Sequence, residues 1–233
     1  MKFAIATIYT EDIKNLAVIT VEYNKRKYCE KHGYDLMAKT EGFVLKHLGF
    51  EKIRYVLELL KSGTYDWVYW CGADTMITNY NIKLESLIDL NYHFVISTDI
   101  WDFNSDSFLI RNSPEGIAFF EHILRMHDTY IDKDGKALDF GIRLPDGGLR
   151  AWGEQGAMCD LKDQYKEIIK VNPQKVMNSY LYKIYPSEWH QKGLDCNGND
   201  GSWSDGDFLV HWPGLPHNYR LSLALEFIKR VRE

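Results

Sequence analysis

The chain of 233 residues lacks any run approaching the roughly 20 apolar residues that a membrane-spanning helix needs, and its opening stretch, residues 1–8, is too short for a signal peptide. No membrane span is therefore expected, and the chain reads as a cytoplasmic protein of a microbe or of an infected host cell, or as a fragment of a longer protein. Cysteine is sparse. Cys29, Cys71, Cys159 and Cys196 are widely scattered with no C-x-x-C pair, which argues against a zinc cluster or a disulfide framework and makes reduced thiols the default. Basic excess is also absent. A net charge of −5 without a basic patch offers no general attraction to a phosphate backbone, so nucleic acid is not an expected partner and an anionic substrate needs local help, such as a metal ion. No internal repeat, low-complexity tract or Pro/Gly/Ser linker divides the chain, and residues 1–233 read as one domain.

Aromatic residues, by contrast, are plentiful: 14% of the chain is Phe, Trp or Tyr, with seven Trp. Trp101, Trp152, Trp189, Trp203 and Trp212 lie among Gly, Asp, Asn and Ser, where loop anchoring and sugar stacking both fit. The apolar pattern alternates between strand and helix. Residues 2–8 read as a buried strand, about 12–32 as a helix stopped by Gly33, 35–38 as a strand, 51–61 as a helix closed by Gly63, and 67–70 as a third strand. Such β-α-β-α-β order implies an α/β fold with a doubly wound sheet and a ligand beyond the carboxyl ends of its strands. The second half departs from that order. Short strands are expected at 93–98 and 107–111, a helix from Pro114 to about Met126, a polar loop over about 132–148 and a helix beginning near Glu154. Strands at 168–171 and 208–212 and a terminal helix at 217–232 complete a mixed sheet flanked by helices.

Two strand ends carry potential ligands. Asp74 follows the apolar strand 67–70 in a small-residue turn, where its carboxylate could hold a hard divalent cation that bridges to a diphosphate, or could cap the element that follows. His211 ends the second such strand, ahead of a turn set by Pro213, Gly214 and Pro216. His211, Gly214 and His217 form an H-x-x-G-x-x-H pattern in which His211 could bind metal while the turn's backbone and His217 face phosphate; a buried structural histidine is the other reading. Lys52 and Arg54, two positions apart, cannot share a helix face. Thr7 and Tyr9 end the first strand, where hydroxyls serve packing and ligands alike. Glu154 and Gln155 open a helix that Glu154 could simply cap.

Seven ordered blocks, at 24–35, 51–54, 70–79, 104–112, Glu154-Gln155, 173–180 and 206–214, resemble the family-34 glycosyltransferases, which include fungal α-galactosyltransferases and plant xyloglucan xylosyltransferases. The resemblance implies a single-domain GT-A fold, with residues about 1–100 binding the nucleotide sugar and about 101–233 the acceptor. It further implies retaining transfer of a hexose or pentose from a UDP-sugar to a carbohydrate or glycoconjugate hydroxyl, with Mn2+ or Mg2+ as cofactor. On it, Asp74 and His211 hold the metal, and Thr7, Tyr9, Lys52, Ala73, Asp74, Gly214 and His217 line the nucleotide-sugar site. Gln155 lies near the anomeric carbon, able to support an oxocarbenium-like state through its amide carbonyl, while Glu154 orients a donor hydroxyl or the acceptor. Two positions depart from the family. Its D-x-D motif falls on Gly72-Ala73-Asp74, without the first acid, and its Asn-Thr-Gly turn falls on Asn104-Ser105-Asp106, which makes Asp106 an extra carboxylate for a donor-sugar contact. The missing acid leaves open a weakened or inactive nucleotide-sugar or glycan-binding module. An α/β phosphohydrolase is disfavoured by the lack of a multiple-acid metal cluster.

Overall fold

The structure is a computed structural model that describes residues 1–138, 153–186, 190 and 192–233, together with the backbone of 142–143 and 149–150. Trp152, Trp189 and much of the polar loop expected over 132–148 lie outside the described residues.

Strand β1 (Phe3–Ile8) is buried along its whole length, as a strand covered on both faces must be. A helical stretch follows in three segments: α1 (Lys14–Ala17), a π-helical segment (Val18–Lys25) and α2 (Arg26–His32), which stops at Gly33 with φ 72°. Next come β2 (Asp35–Lys39), α3 (Leu48–Lys61), β3 (Trp67–Cys71) and β4 (Thr75–Ile77). The hairpin of β5 (Phe94–Thr98) and β6 (Phe103–Arg111) leads to α4 (Pro114–Arg125), capped by the Ser113 hydroxyl, and α5 (His127–Tyr130). The remaining elements are the two-residue strands β7 (Ile142–Arg143) and β8 (Leu149–Arg150), α6 (Gly153–Leu161), β9 (Ile169–Asn172), β10 (Ser179–Tyr180), β11 (Leu209–His211) and α7 (His217–Phe227).

The main sheet has the order β2-β1-β3-β6-β5-β9. Its β2, β1 and β3 are parallel, β6 runs antiparallel between β3 and β5, and β9 is parallel to β5. Alternate strand residues face opposite cores. Ala4, Val68, Trp70, Phe108 and Ile110 pack with Phe50 and Leu60 of α3, Phe119 and Phe120 of α4 and Met158 of α6, whereas Phe3, Ile5, Tyr69 and Leu109 meet Tyr28 of α2. The doubly wound mixed sheet expected from the sequence is thus present. A second sheet, β10-β11-β4, is set over the carboxyl end of β3 and was not foreseen in full, because strands of two or three residues carry almost no periodic signal. No helix among the described residues is long and apolar enough to cross a membrane.

Candidate active site

The reversal of β6 shapes the site. Because β6 is antiparallel to β3, with Cys71 opposite Ser107, the beginning of β6 lies beside the end of β3, and the Gly72 N–H donates to the Asp106 carbonyl at 2.9 Å. On the other side, β4 pairs antiparallel with β11, placing Thr75 opposite His211, and the Trp212 N–H donates to the Asp74 carbonyl. Asp74 is therefore held between two sheets, and a strand rather than a helix follows it, so the helix-cap role does not apply. The π-helical segment fixes this turn from behind. The Thr20 hydroxyl donates to the Ala73 carbonyl at 2.6 Å, the buried Lys25 ammonium to the Thr75 carbonyl at 2.8 Å, and the Asn24 amide both donates to and accepts from the Ile77 backbone. A π turn near a functional residue is a common use of that rare conformation.

Asp74, Asp106 and His211 each bring one ligand-capable atom within 4.8 Å of the others. His211 Nε2 lies 3.7 Å from Asp74 Oδ1 and 3.6 Å from Asp106 Oδ2. His211 is fully buried, its Nδ1 is 2.8 Å from Asn178 Oδ1, and its Nε2 has no partner. An amide oxygen can only accept, so Nδ1 donates to Asn178 and Nε2 is the ring atom turned toward the two carboxylates. Asp74 Oδ2 takes Arg220 at 2.9 Å. Burial alone would raise the Asp74 pKa, but His211 and Arg220 outweigh it and hold the carboxyl well below the usual carboxylate range. Two carboxylates and an imidazole nitrogen brought this close together suit a hard or borderline divalent cation, so the donor set fits one.

Beside this group lies a cleft of about 410 Å3, lined by Tyr9, Lys52, Ala73, Asp74, Ser105, Asp106, Glu154, Gln155 and Arg220 among others. Its floor is an ion network. Lys52, on α3, is buried and reaches Glu154 at 2.7 Å, the Ser105 carbonyl at 2.9 Å and Asp106 at 3.4 Å. Burial opposes the charge on both Lys52 and Glu154, yet each partner overrides it, keeping the lysine pKa raised and the glutamate pKa lowered. Glu154 fits against α3 because position 49 is glycine: a Cβ there would stand 1.8 Å from its Oε2. Glu154 thus serves this network at the start of α6. Gln155 Oε1 accepts the Ser105 N–H at 3.0 Å, so the carbonyl expected to face an oxocarbenium ion is already engaged and the amide nitrogen is the end free to donate to a ligand.

Other expectations fare differently. Thr7 is fully buried with an unpartnered hydroxyl and does not line the cleft, whereas Tyr9 does, its hydroxyl donating to Glu22 at 2.9 Å. Arg54 points away to Glu51 and Glu58. His217 begins α7 but does not line the cleft; Arg220, one turn later, does. Arg220 was missed by the sequence reading, although its i+3 spacing from His217 on a predicted helix was the available signal. Gly214 lines a second cleft of about 590 Å3, together with Trp101, Tyr180, Tyr185, His190 and Pro216. Asp106 and Gln155 border both clefts. Of the remaining tryptophans, Trp212 is fully buried and Trp203 packs edge-on against Phe227 at 4.8 Å, which favours anchoring for both.

Residues 6–91 match the family model of the galactosyl transferase GMA12/MNN10 family. A protein of Schizosaccharomyces pombe described as an uncharacterised α-1,2-galactosyltransferase is 30% identical over 94 residues, covering 36% of this chain. The match spans about a quarter, 27%, of that relative's length. These findings bear out the family-34 resemblance in the N-terminal part of the chain. Among solved structures, a glycosyltransferase involved in glycosylation of the major capsid of PBCV-1 superposes with a TM-score of 0.69 at 14% identity, covering 97% of this chain and 100% of that one. The galactosyltransferase LgtC, in complex with donor and acceptor sugar analogues, gives 0.52 at 12% identity over 99% of this chain and 96% of its own. The glycosyltransferase GlyE of Streptococcus pneumoniae TIGR4 gives 0.54 at 11% identity, over 98% of this chain and 62% of its own. The fold is GT-A.

Proposed function

We propose that the chain is a retaining, divalent-metal-dependent glycosyltransferase that moves a hexose or pentose from a UDP-sugar to a hydroxyl of a carbohydrate or glycoconjugate. The observation that carries this reading is the buried, unpartnered Nε2 of His211 aimed at the Asp74 carboxylate, at the carboxyl end of β3 in a GT-A fold. Asp74 and His211 would hold Mn2+ or Mg2+. The ion would supply charge neutralisation of the leaving diphosphate. Arg220, anchored on Asp74, would add a fixed cation on the same side of the cleft.

The two clefts divide the substrates. In this reading the donor lies in the cleft bounded by Tyr9, Ala73, Asp74 and Arg220, and the acceptor lies in the one built from residues 99–216. The donor cleft draws Asp106, Glu154, Gln155 and Arg220 from the second half of the chain, so the two tasks do not divide at about residue 100, while Tyr185 and Trp101 line the acceptor cleft. Transfer then occurs where the clefts meet, at Asp106 and Gln155. The acceptor hydroxyl attacks the anomeric carbon from the face the diphosphate leaves, and its proton passes to the departing phosphate oxygen. Gln155 would donate from its amide nitrogen to the sugar or the departing oxygen, orienting the reacting groups. Lys52 and Glu154 act behind them as positioning residues, since the ammonium is already committed to Glu154, Ser105 and Asp106.

A panel of sugar nucleotides tested for manganese-dependent release of nucleoside diphosphate, with and without glycan acceptors, tests this reading. Release from a UDP-sugar that rises with acceptor and vanishes with chelator supports it. Binding of UDP and manganese without turnover on any acceptor would instead indicate a binding module.

A further inference from the structure

We propose that Asp106 is a metal ligand and that it supplies, from the neighbouring strand, the carboxylate that position 72 lacks. This rests on the metal-dependent reading above and deepens it. Gly72 and Asp106 are cross-strand neighbours joined by the 2.9 Å backbone hydrogen bond. A Cβ placed on Gly72 would lie 3.5 Å from both Cβ and Cγ of Asp106 and 3.0 Å from Asp74 Oδ1. A side chain at 72 would therefore stand in van der Waals contact with that of Asp106, so both positions address the space beside Asp74. Backbone conformation does not demand glycine at 72, since it is not among the positive-φ glycines. Glycine at 72 leaves the side of Asp74 toward Asp106 without a second side chain.

The orientation of that carboxylate fits a ligand better than a simple ion-pair partner. Its two oxygens are divided: Oδ1 faces Lys52 at 3.4 Å and Oδ2 faces His211 Nε2 at 3.6 Å. Asp74 is divided in the same manner, Oδ2 to Arg220 at 2.9 Å and Oδ1 to His211 at 3.7 Å. Each of the three candidate ligands is thus fixed from outside by a second group, Arg220, Lys52 or Asn178, and turns its other atom inward. That is how supporting partners orient metal ligands. Two carboxylate oxygens and an imidazole lone pair would repel one another with nothing between them. The space calls for positive charge, either a proton on Nε2 or a metal ion.

Manganese binding distinguishes these outcomes. The free Mn2+ signal in electron paramagnetic resonance is titrated against the wild-type chain, Asp106→Asn, Asp106→Ala and the double variant Gly72→Asp/Asp106→Ala, each with UDP, and thermal melts report folding. Asp106→Asn keeps the side-chain shape and should weaken manganese binding by at least about tenfold, the loss that even an outer-shell partner produces. The double variant should recover most of that loss, because Gly72→Asp returns a carboxylate to the same space. Unchanged affinity in Asp106→Asn overturns the proposal, as does a folded double variant that recovers nothing. If Asp106→Asn loses turnover at unchanged affinity, Asp106 contacts the sugar instead, and the metal-dependent reading survives without this ligand. A wild-type chain that binds no manganese removes both.

Discussion

Replacing Lys52 by Met removes one charge from the cleft floor and keeps most of the buried stem. It leaves Glu154, which Lys52 contacts at 2.7 Å, buried with the Ser105 hydroxyl as a hydrogen-bond donor and His47 as a titratable neighbour. Breaking a buried pair from one side typically costs about 3–5 kcal/mol. In a domain of this size each kcal/mol moves the melting temperature by roughly 2–4 °C, so a fall on the order of 10 °C is expected. The pH dependence identifies the cause. With Lys52 present, the Glu154 carboxyl sits below its ordinary range in spite of burial. Without it, burial should raise the folded-state pKa above the unfolded value, so the folded chain holds a proton that the unfolded chain releases. Stability is then lost as pH rises between the two values, by up to about 1.4 kcal/mol per unit. The deficit of Lys52→Met relative to wild type should therefore be larger at neutral than at mildly acidic pH, and Lys52→Met/Glu154→Gln should recover much of it. Thermal melts at the two pH values measure this. A variant as stable as wild type, or a deficit that does not change with pH, would refute the assignment of Lys52 as the counter-charge that keeps Glu154 ionised.

Asp74→Ala should reduce manganese-dependent turnover by about 100-fold or more, the scale of losing a main electrostatic support of the transition state; steady-state rates across a manganese series would show it, and wild-type rates throughout would end the metal assignment. Tyr185→Ala should raise KM for the acceptor and leave that for the donor, whereas Trp203→Ala, whose ring also stacks under Arg230 at 4.4 Å, should lower stability and change neither constant. Glu51 has a carboxyl pushed down to about 2, because Arg54, the Leu45 N–H and Lys39 together outweigh the opposing effect of burial. Its contribution is present above the unfolded carboxyl value of about 4.3 and is lost as pH falls toward 2. Acid melts of Glu51→Gln should accordingly show lower stability at neutral pH and a flatter decline on acidification than wild type.

Much of the fold was legible because its first half alternates long periodic elements: the residues 2–8, 35–38 and 67–70 became β1, β2 and β3 with shifts of a residue or so. The helix expected over about 12–32 exists as a helical stretch, but its π register did not show in the pattern. That register depends on Thr20, Asn24 and Lys25 reaching the backbone of residues 73–77, contacts fifty positions away in the chain. The same limit applies to the site. Asp74 and His211 could be found because each ends an apolar strand, a local signal. Arg220 and Asn178 matter through what they hold, and the sequence around them says nothing of Asp74 or His211. Asp106 was recognised as an added carboxylate, yet its relation to Gly72 appears only once antiparallel pairing sets Cys71 opposite Ser107.

The charge inventory of the cleft proposed for the donor links these elements to a chain whose overall charge is negative. Among the described residues lining it, Asp74, Asp106 and Glu154 supply three carboxylates, and Lys52 and Arg220 supply two permanent cations. The cations are turned to the carboxylates already: Arg220 to Asp74, and Lys52 to Glu154 and Asp106. Without a further ion the cleft is net anionic and would repel a diphosphate. On the proposed reading, one divalent cation held by Asp74, Asp106 and His211 would reverse the sign while leaving each outward pair intact. The pairs then have a second consequence. Because each carboxylate keeps one oxygen on an arginine or lysine, a bound cation would be less than fully neutralised by its ligands and would retain attraction for phosphate oxygens. On the metal-dependent reading proposed above, an anionic donor and a divalent cation would require each other at the same wall, which would let a chain of net charge −5 take an anionic substrate without a general basic excess.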